Sequence, residues 1–251
     1  MIIRNNRELK ELYDKLSSGD VFIGSLSLKH LKEPVLIDLL ERGVHCIPSA
    51  LTQILNRSKT VQALLLKDWM LPQTLVIQRR PDLISAVTQY NKAGIGQIVS
   101  KQDHMHCGHG IRKWDNIETL YSYMALSESS YPFVLQPYLE KFDDVRVIIA
   151  GDYVEAYVRH NPFNFRVNIS AGGESHVYSL DAAQEKFCRS VMERGKFPYA
   201  HLDLLVLKND TYYLSEITLN GGTKGAMISR QQLNRIKHSI LEDLANEISS
   251  S

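Results

Sequence analysis

Residues 200–222, AHLDLLVLKNDTYYLSEITLNGG, constrain what this chain can fold into more than any other stretch. Leu202, Leu204 and Val206 alternate with Asp203, Leu205 and Leu207. Lys208-Asn209-Asp210 is turn chemistry, and Tyr212, Tyr213, Leu214 and Ile217 resume an apolar, aromatic strand. The pattern predicts two paired strands that carry one carboxylate each, Asp203 and Glu216. A lone carboxylate in an apolar strand is costly to bury, and one hard cation serves two of them. A divalent metal holding polyphosphate is the sharp reading of this pair. A half-solvated hairpin with its acids in water is the plain one.

The rest of the chain reads as alternating helices and strands. An amphipathic helix over 7–16, a buried strand over 20–26, a helix over 33–42 stopped by Gly43 and a strand over 44–47 make a short α/β unit, residues 1–50. One helix is predicted from Ser49 as far as Trp69, with Leu51, Ile54, Leu55, Val61, Leu64 and Leu65 on its apolar face. A strand (73–77), a helix (82–92, with Leu83, Ile84 and Val87 inward), a strand (97–101) and a helix (116–126) follow. A strand over 133–139, a hairpin of 145–150 and 153–159 over Gly151-Asp152, and a helix over 182–194 precede the opening pair. A long helix over 229–248 ends the sequence. The expected division is 1–50, 51–131 and 132–251.

Composition narrows the function classes. The 251 residues carry a formal net charge of +1, which gives bulk electrostatics no hold on nucleic acid. Cys46, Cys107 and Cys188 are odd in number and lack a CxxC pair, so reduced thiols are expected. No stretch approaches the ~18 apolar residues of a membrane span, and the N-terminus has no apolar signal core. A cytoplasmic protein with no membrane partner is the expectation. His104, His106, Cys107 and His109 are crowded into six positions, too tight for a usual zinc site without an outside ligand, and a polar lid is the better reading.

Several pieces stand in one order: Lys59, Lys101 before Gly108 and Gly110, FVLQPYL at 133–139, DVR at 144–146, FRVNISAGG at 165–173, HLDLL at 201–205 and SEITLNGG at 215–222. The ordering resembles the ATP-grasp ligases, in particular the branch of prokaryotic glutathione synthetase and the RimK-like glutamate ligases. It covers roughly residues 49–227. The resemblance implies an α+β fold in which two lobes sandwich ATP, and ligation of a carboxylate to an amine through an acyl phosphate.

The same resemblance implies roles. Lys59, Lys101, Gly108, His109 and Gly110 would form the phosphate loop and its cations, where glycine lets backbone N–H groups approach phosphate oxygens. Gln136, Tyr138 and Leu139 would seat adenine, with Asp144 and Asn168 beside the nucleotide. Arg146, Arg159 and Arg166 would be catalytic, their planar forks matched to carboxylate and phosphoryl oxygens. Asp203, Glu216 and Asn220 would hold one or two Mg2+ ions. Two departures stand out: Met105 where the family places a loop glycine, and Glu216-Ile217-Thr218 where it reads Glu-x-Asn. A straight strand sets Asn220 ~13 Å from Glu216, so it reaches a shared ion only if the chain curls. Small-molecule or peptide acids and amines are the implied partners, with a homo-oligomer or protein partner also open. An ATP-binding relative that has lost ligation, acting as a sensor or complex partner, is the alternative.

Overall fold

The computed structural model describes residues 1–28, 30–105, 109–124, 131–161 and 173–250. Three sheets organise them. The first is parallel, β1 (Ile2–Ile3), β2 (Val21–Ile23) and β3 (His45–Ile47) in that order, with α1 (Asn6–Leu12) and α2 (Lys32–Glu41) between the strands. Gly43, at φ 73°, ends the turn after α2 in a conformation that only glycine adopts freely. Cys46 and, further on, Cys188 are buried free thiols.

The predicted helix over 49–69 is broken into α3 (Ala50–Leu55), α4 (Lys59–Leu65) and a 3-10 turn, Lys67–Trp69. Ser49 and Ser58 are the reason. Each accepts a hydrogen bond on its hydroxyl from the third residue of the helix that follows, and Ser58 is extended at φ −115°, ψ 113°. The interruption resets the helical phase. Leu55 is fully buried, whereas Leu64, expected inward, is 60% exposed.

The second sheet is antiparallel in the order β4-β7-β5-β6: β4 (Leu75–Ile77), β7 (Phe133–Pro137), β5 (Ile98–Gln102) and β6 (Ile111–Trp114). Helices α5 (Arg80–Lys92) and α6 (Ile117–Met124) cover it through Leu83, Ala86, Tyr90, Ile117 and Leu120, while Ile84 faces solvent. The third sheet is also antiparallel, in the order β10-β9-β8-β11-β12: β8 (Asp143–Ala150), β9 (Tyr153–His160), β10 (Glu174–Tyr178), β11 (Tyr199–Val206) and β12 (Tyr212–Thr218). Its β8–β9 hairpin turns on Gly151 at φ 61°, as its sequence predicts. Helices α3, α4 and α7 (Ala182–Gly195) bury Leu55, Ala63, Cys188 and Val191 in this sheet's core.

Helix α8 (Arg230–Ser249) ties the ends of the chain together. Ile236, Ile240 and Leu241 pack on the third sheet's core, and Leu241, Ala245 and Ile248 pack on Val21, Ile23 and Ile47 of the first. Among the described residues no helix is long and apolar enough to cross a membrane.

Candidate functional site

Register in the third sheet assembles the first group of side chains. Arg146 of β8, Asp203 of β11 and Glu216 of β12 stand opposite one another, and Asp144 stands opposite Arg159 of β9. Alternation puts Asp144, Arg146, Arg159 and Asp203 on one face. Between Asp203 and Leu204 the pairing with β12 shifts: Asp203 faces Glu216, but Leu204 faces Leu214. Ser215 is therefore an extra residue, a β-bulge. The bulge lets Leu214 stay in the core while Glu216 two residues later keeps its place beside Asp203.

Two arginines converge on Asp203. Arg146 holds it through both fork nitrogens, Nε to Oδ1 at 2.6 Å and a terminal nitrogen to Oδ2 at 2.8 Å. Arg159 approaches Oδ2 at 2.9 Å and bonds Asp144 Oδ1 at 2.5 Å. Burial pushes the Asp203 carboxyl up, but the guanidinium groups of Arg146 and Arg159 outweigh it and hold the acid well below the usual carboxylate range. Asp144 goes the other way: burial, partly offset by Arg159 and reinforced by Asp203, raises it to about 6. Among the described residues the Arg159 Nε donor is buried without a partner.

The second group comes from α4 and the second sheet. Lys59 Nζ lies 3.2 Å from Glu216 Oε1 and donates to the Met105 carbonyl at 2.6 Å. Lys101 Nζ donates to Ser215 Oγ, the bulge residue, at 3.2 Å. Burial lowers the Lys101 pKa, with Glu216 working against that. What docks α4 here is a pair of amides on the free edge of β12. Gln62 accepts from Ile217 N–H at 3.1 Å and donates to the Ile217 carbonyl at 2.8 Å, as a further strand would. Asn56 accepts from Leu219 N–H at 2.6 Å.

Asp103, at the root of the glycine loop, caps the α4 N-terminus. It accepts from the Lys59 N–H at 2.7 Å and from the Ser58 and Thr60 hydroxyls at 2.8 and 2.6 Å. A carboxylate here satisfies free N–H groups and complements the helix dipole. Burial alone pushes its pKa up, but the Thr60 and Ser58 hydroxyls bring it below the usual range. The loop and Lys59 are thus tied to one anchor. Gly110 sits where a Cβ would fall 2.8 Å from that of Met105 and 2.9 Å from that of Gln102, so no larger residue fits. His109 is exposed.

The hinge residues have partial commitments. The Gln136 side chain donates to Thr74 Oγ1 at 2.9 Å, and the Tyr138 N–H donates to the Gln97 carbonyl at 2.9 Å. Lys113 Nζ lies 3.8 Å above the Tyr138 ring.

Asn220 is directed elsewhere. Its side-chain oxygen faces Lys237 Nζ of α8 at 3.4 Å, and the same ammonium donates to the Leu219 carbonyl at 2.7 Å. The chain does bend after Thr218, but toward α8. Gly222 returns its carbonyl to Arg146 at 3.3 Å. Gly108, Arg166 and Asn168 lie outside the described residues. Sequence reasoning missed Asp103, Gln62, Asn56, His201 and Lys237. Only Asp103 carried a signal, a lone acid between the loop lysine and the glycines.

Asp203 and Glu216, in register on neighbouring strands, are oxygen donors of the kind a hard divalent ion takes, but here both Asp203 oxygens accept from Arg146 and Arg159 and Glu216 faces Lys59, so an ion would have to displace these cations. Among the described residues no group of three His, Cys, Asp or Glu side chains forms an all-protein cage.

The fold is shared with known proteins. The D-alanine–D-alanine ligase of Bacillus anthracis complexed with ATP superposes with a TM-score of 0.67 at 16% identity, over 97% of this chain and 85% of that one. D-cycloserine synthetase DcsG gives 0.66 at 14% identity, over 89% and 84%. ATP-grasp ligase PsnB, complexed with a phosphomimetic variant of its minimal precursor, Mg and ADP, gives 0.57 at 18% identity, over 84% and 67%. No curated protein matches the chain by sequence. A model of the RimK-like ATP-grasp domain matches residues 55–244, which run from the end of α3 through most of α8 and so take in both lysines, the arginine cluster and the paired acids. With most of its length matched and its sheets arranged as in these ligases, the chain belongs to the RimK-like ATP-grasp family.

Proposed function

We propose that this protein is an ATP-dependent carboxylate–amine ligase: it transfers the γ-phosphoryl group of ATP to a carboxylate, and an amine then displaces phosphate to form an amide or peptide bond. The observation that carries the reading is the meeting of two lysines from outside the third sheet with the row Arg146, Asp203 and Glu216 within it. Asp203 and Glu216 are the residues that would hold Mg2+, which when bound would supply charge neutralisation for the phosphates. Lys59 and Lys101 orient phosphate oxygens. Arg146 and Arg159 receive the acid and stabilise the charge that develops on its oxygens, an effect for which one donor is typically worth ~3 kcal/mol. The Tyr138 carbonyl and Leu139 amide would read adenine, while Gln136 fixes the hinge through Thr74. Gly108, His109 and Gly110 would cover the phosphates, with Asp144, Arg166 and Asn168 completing the nucleotide and acid sites. Asn220 joins the metal only if the 219–222 bend opens. No side chain is needed as a covalent nucleophile; positioning and electrostatics do the work.

Incubation with ATP, Mg2+ and pools of acids and amines, followed by ADP release, tests this directly. ADP release that requires both substrates and disappears in Glu216→Gln is the expected result. ATP binding that survives Glu216→Gln unchanged, with no ADP formed for any pool, would instead support the nucleotide-binding relative that has lost ligation.

A further inference from the structure

The oxygens that follow Glu216 in the chain are taken up by an internal cation. Lys237 of α8 is 6% exposed. Its ammonium donates to the Leu219 carbonyl at 2.7 Å, faces Asn220 Oδ1 at 3.4 Å and His201 Nε2 at 3.2 Å, and lies 4.8 Å from the centre of the Tyr199 ring. Its N–H donors thus have acceptors, with an aromatic face beside them. Register places this cation. His201 stands opposite Thr218 as Asp203 stands opposite Glu216, and alternation puts both pairs on one face of the third sheet. Lys237 therefore rests on the row next to the paired acids, a two-residue step of about 7 Å along the strands. The rest of the bend is held as well. The Leu219 N–H donates to Asn56 at 2.6 Å, and the Gly222 carbonyl accepts from Arg146 at 3.3 Å and from the Tyr157 hydroxyl at 3.4 Å. A Cβ on Gly221 would fall 2.7 Å from the His201 ring, so the bend is also packed tightly against β11. Swinging Asn220 toward Glu216 would break several of these bonds at once.

We infer that this chain takes one divalent ion with its nucleotide, and that Lys237 holds the oxygens a second ion would need. Mg2+ takes oxygen ligands at about 2.1 Å in near-octahedral geometry, so a second ion beside Glu216 needs donors beyond the paired acids. Asn220 Oδ1 and the Leu219 carbonyl are engaged by Lys237, and the Gly222 carbonyl by Arg146 and Tyr157. Among the described residues of this bend, that leaves the Thr218 hydroxyl, a neutral donor, on the face that carries Glu216. An ammonium fixed one row away also repels a further dication. The donors that remain fit one ion shared with phosphate; they do not fit two. The inference rests on the reading of Glu216 as the acid that faces a nucleotide-bound ion, and not on which acid and amine are joined.

Counting Mn2+ on the full chain tests this without any turnover. Protein is kept in excess of the non-hydrolysable ATP analogue AMP-PNP, Mn2+ is added, and bound ion is read from the loss of the free-ion electron paramagnetic resonance signal, with the nucleotide alone as control. A plateau at one Mn2+ per nucleotide is expected. Asn220→Ala, a change at an exposed residue, should keep both the plateau and the midpoint. A plateau at two in the parent protein, or an Asn220→Ala variant that loses an ion or binds it about tenfold or more weakly, would overturn the inference. Lys237→Met keeps a long buried side chain and removes the charge, so it should admit a second, weaker Mn2+ with the spin-coupled spectrum of two neighbouring ions. A plateau still at one, in a Lys237→Met variant that circular dichroism shows to be folded, would overturn the part given to Lys237. No Mn2+ retained with the nucleotide would overturn this inference and the metal assignment together. Failure of every acid and amine pair to yield ADP would count against the ligase reading alone, because the ion count needs no reaction.

Discussion

Replacing Asp203 by Asn tests the charge balance of the arginine cluster, because the buried groups there can respond to a lost partner in only one direction. Arg146, Arg159, Asp144 and Asp203 carry two charges of each sign. Asp203→Asn leaves two guanidinium groups facing a single carboxylate, and guanidinium does not shed its proton. Removing one member of a buried pair costs about 3–5 kcal/mol. With an m-value of about 3 kcal/mol per M in urea for a chain of this size, the midpoint should fall by about 1–1.7 M. Because Asp203 helps to raise the Asp144 pKa, its neutralisation lowers that pKa, and the loss should shrink as pH rises from 5 toward 8. Arg159→Met removes charge of the other sign, and Asp144 can answer by taking up a proton. Its pKa is already raised to about 6 in the folded protein, against 3.8 in the unfolded chain, and loss of Arg159 raises it further. The folded variant then binds a proton that the unfolded chain lacks, so its stability falls as pH rises through the raised pKa. Urea titrations at pH 5, 6, 7 and 8 check both slopes. A loss under 1 kcal/mol for Asp203→Asn, or an Arg159→Met penalty that does not grow with pH, would refute the reasoning.

Gln62→Leu leaves the Ile217 N–H and carbonyl without their partner on the β12 edge; a loss of about 2–3 kcal/mol is expected, with faster hydrogen exchange at the Ile217 amide. Unchanged exchange would show that the clasp is not needed to hold the edge. Burial, then the Lys237 charge, lowers the His201 pKa to about 3, so the unfolded chain binds the extra proton between pH 6.5 and 3, and stability drops as pH falls through that window. His201→Asn should flatten this acid limb in thermal melts taken at successive pH values. Thr218→Asn restores an amide oxygen two residues from Glu216; the Mg2+ concentration that half-saturates nucleotide binding should fall on the order of tenfold, equivalent to about 1.4 kcal/mol. An unchanged Mg2+ titration would place Thr218 away from the ion.

What the sequence made legible follows from which forces act along the chain and which act across it. Strands β8, β9, β11 and β12 have alternating apolar residues and turn chemistry, so the pairing that brings Asp203 opposite Glu216 could be read from local pattern. Strands β6 and β10 were not readable: each lies at a sheet edge and buries little, so neither IRKW nor ESHVY carries a clear periodicity. The break between α3 and α4 turned on one serine hydroxyl inside an otherwise continuous apolar pattern. That break has a functional consequence, because it starts a new helix at Lys59 and turns the new N-terminus toward Asp103. The bulge at Ser215 likewise has no sequence signature, yet it gives Lys101 a partner beside Glu216. Composition supplied the charges, but their meeting depends on these two backbone irregularities and on the Gln62 and Asn56 amides that dock α3 and α4 against β12. A variant that healed either irregularity, for example Ser58→Ala with its cap removed, would keep every charged residue and still separate Lys59 from Glu216.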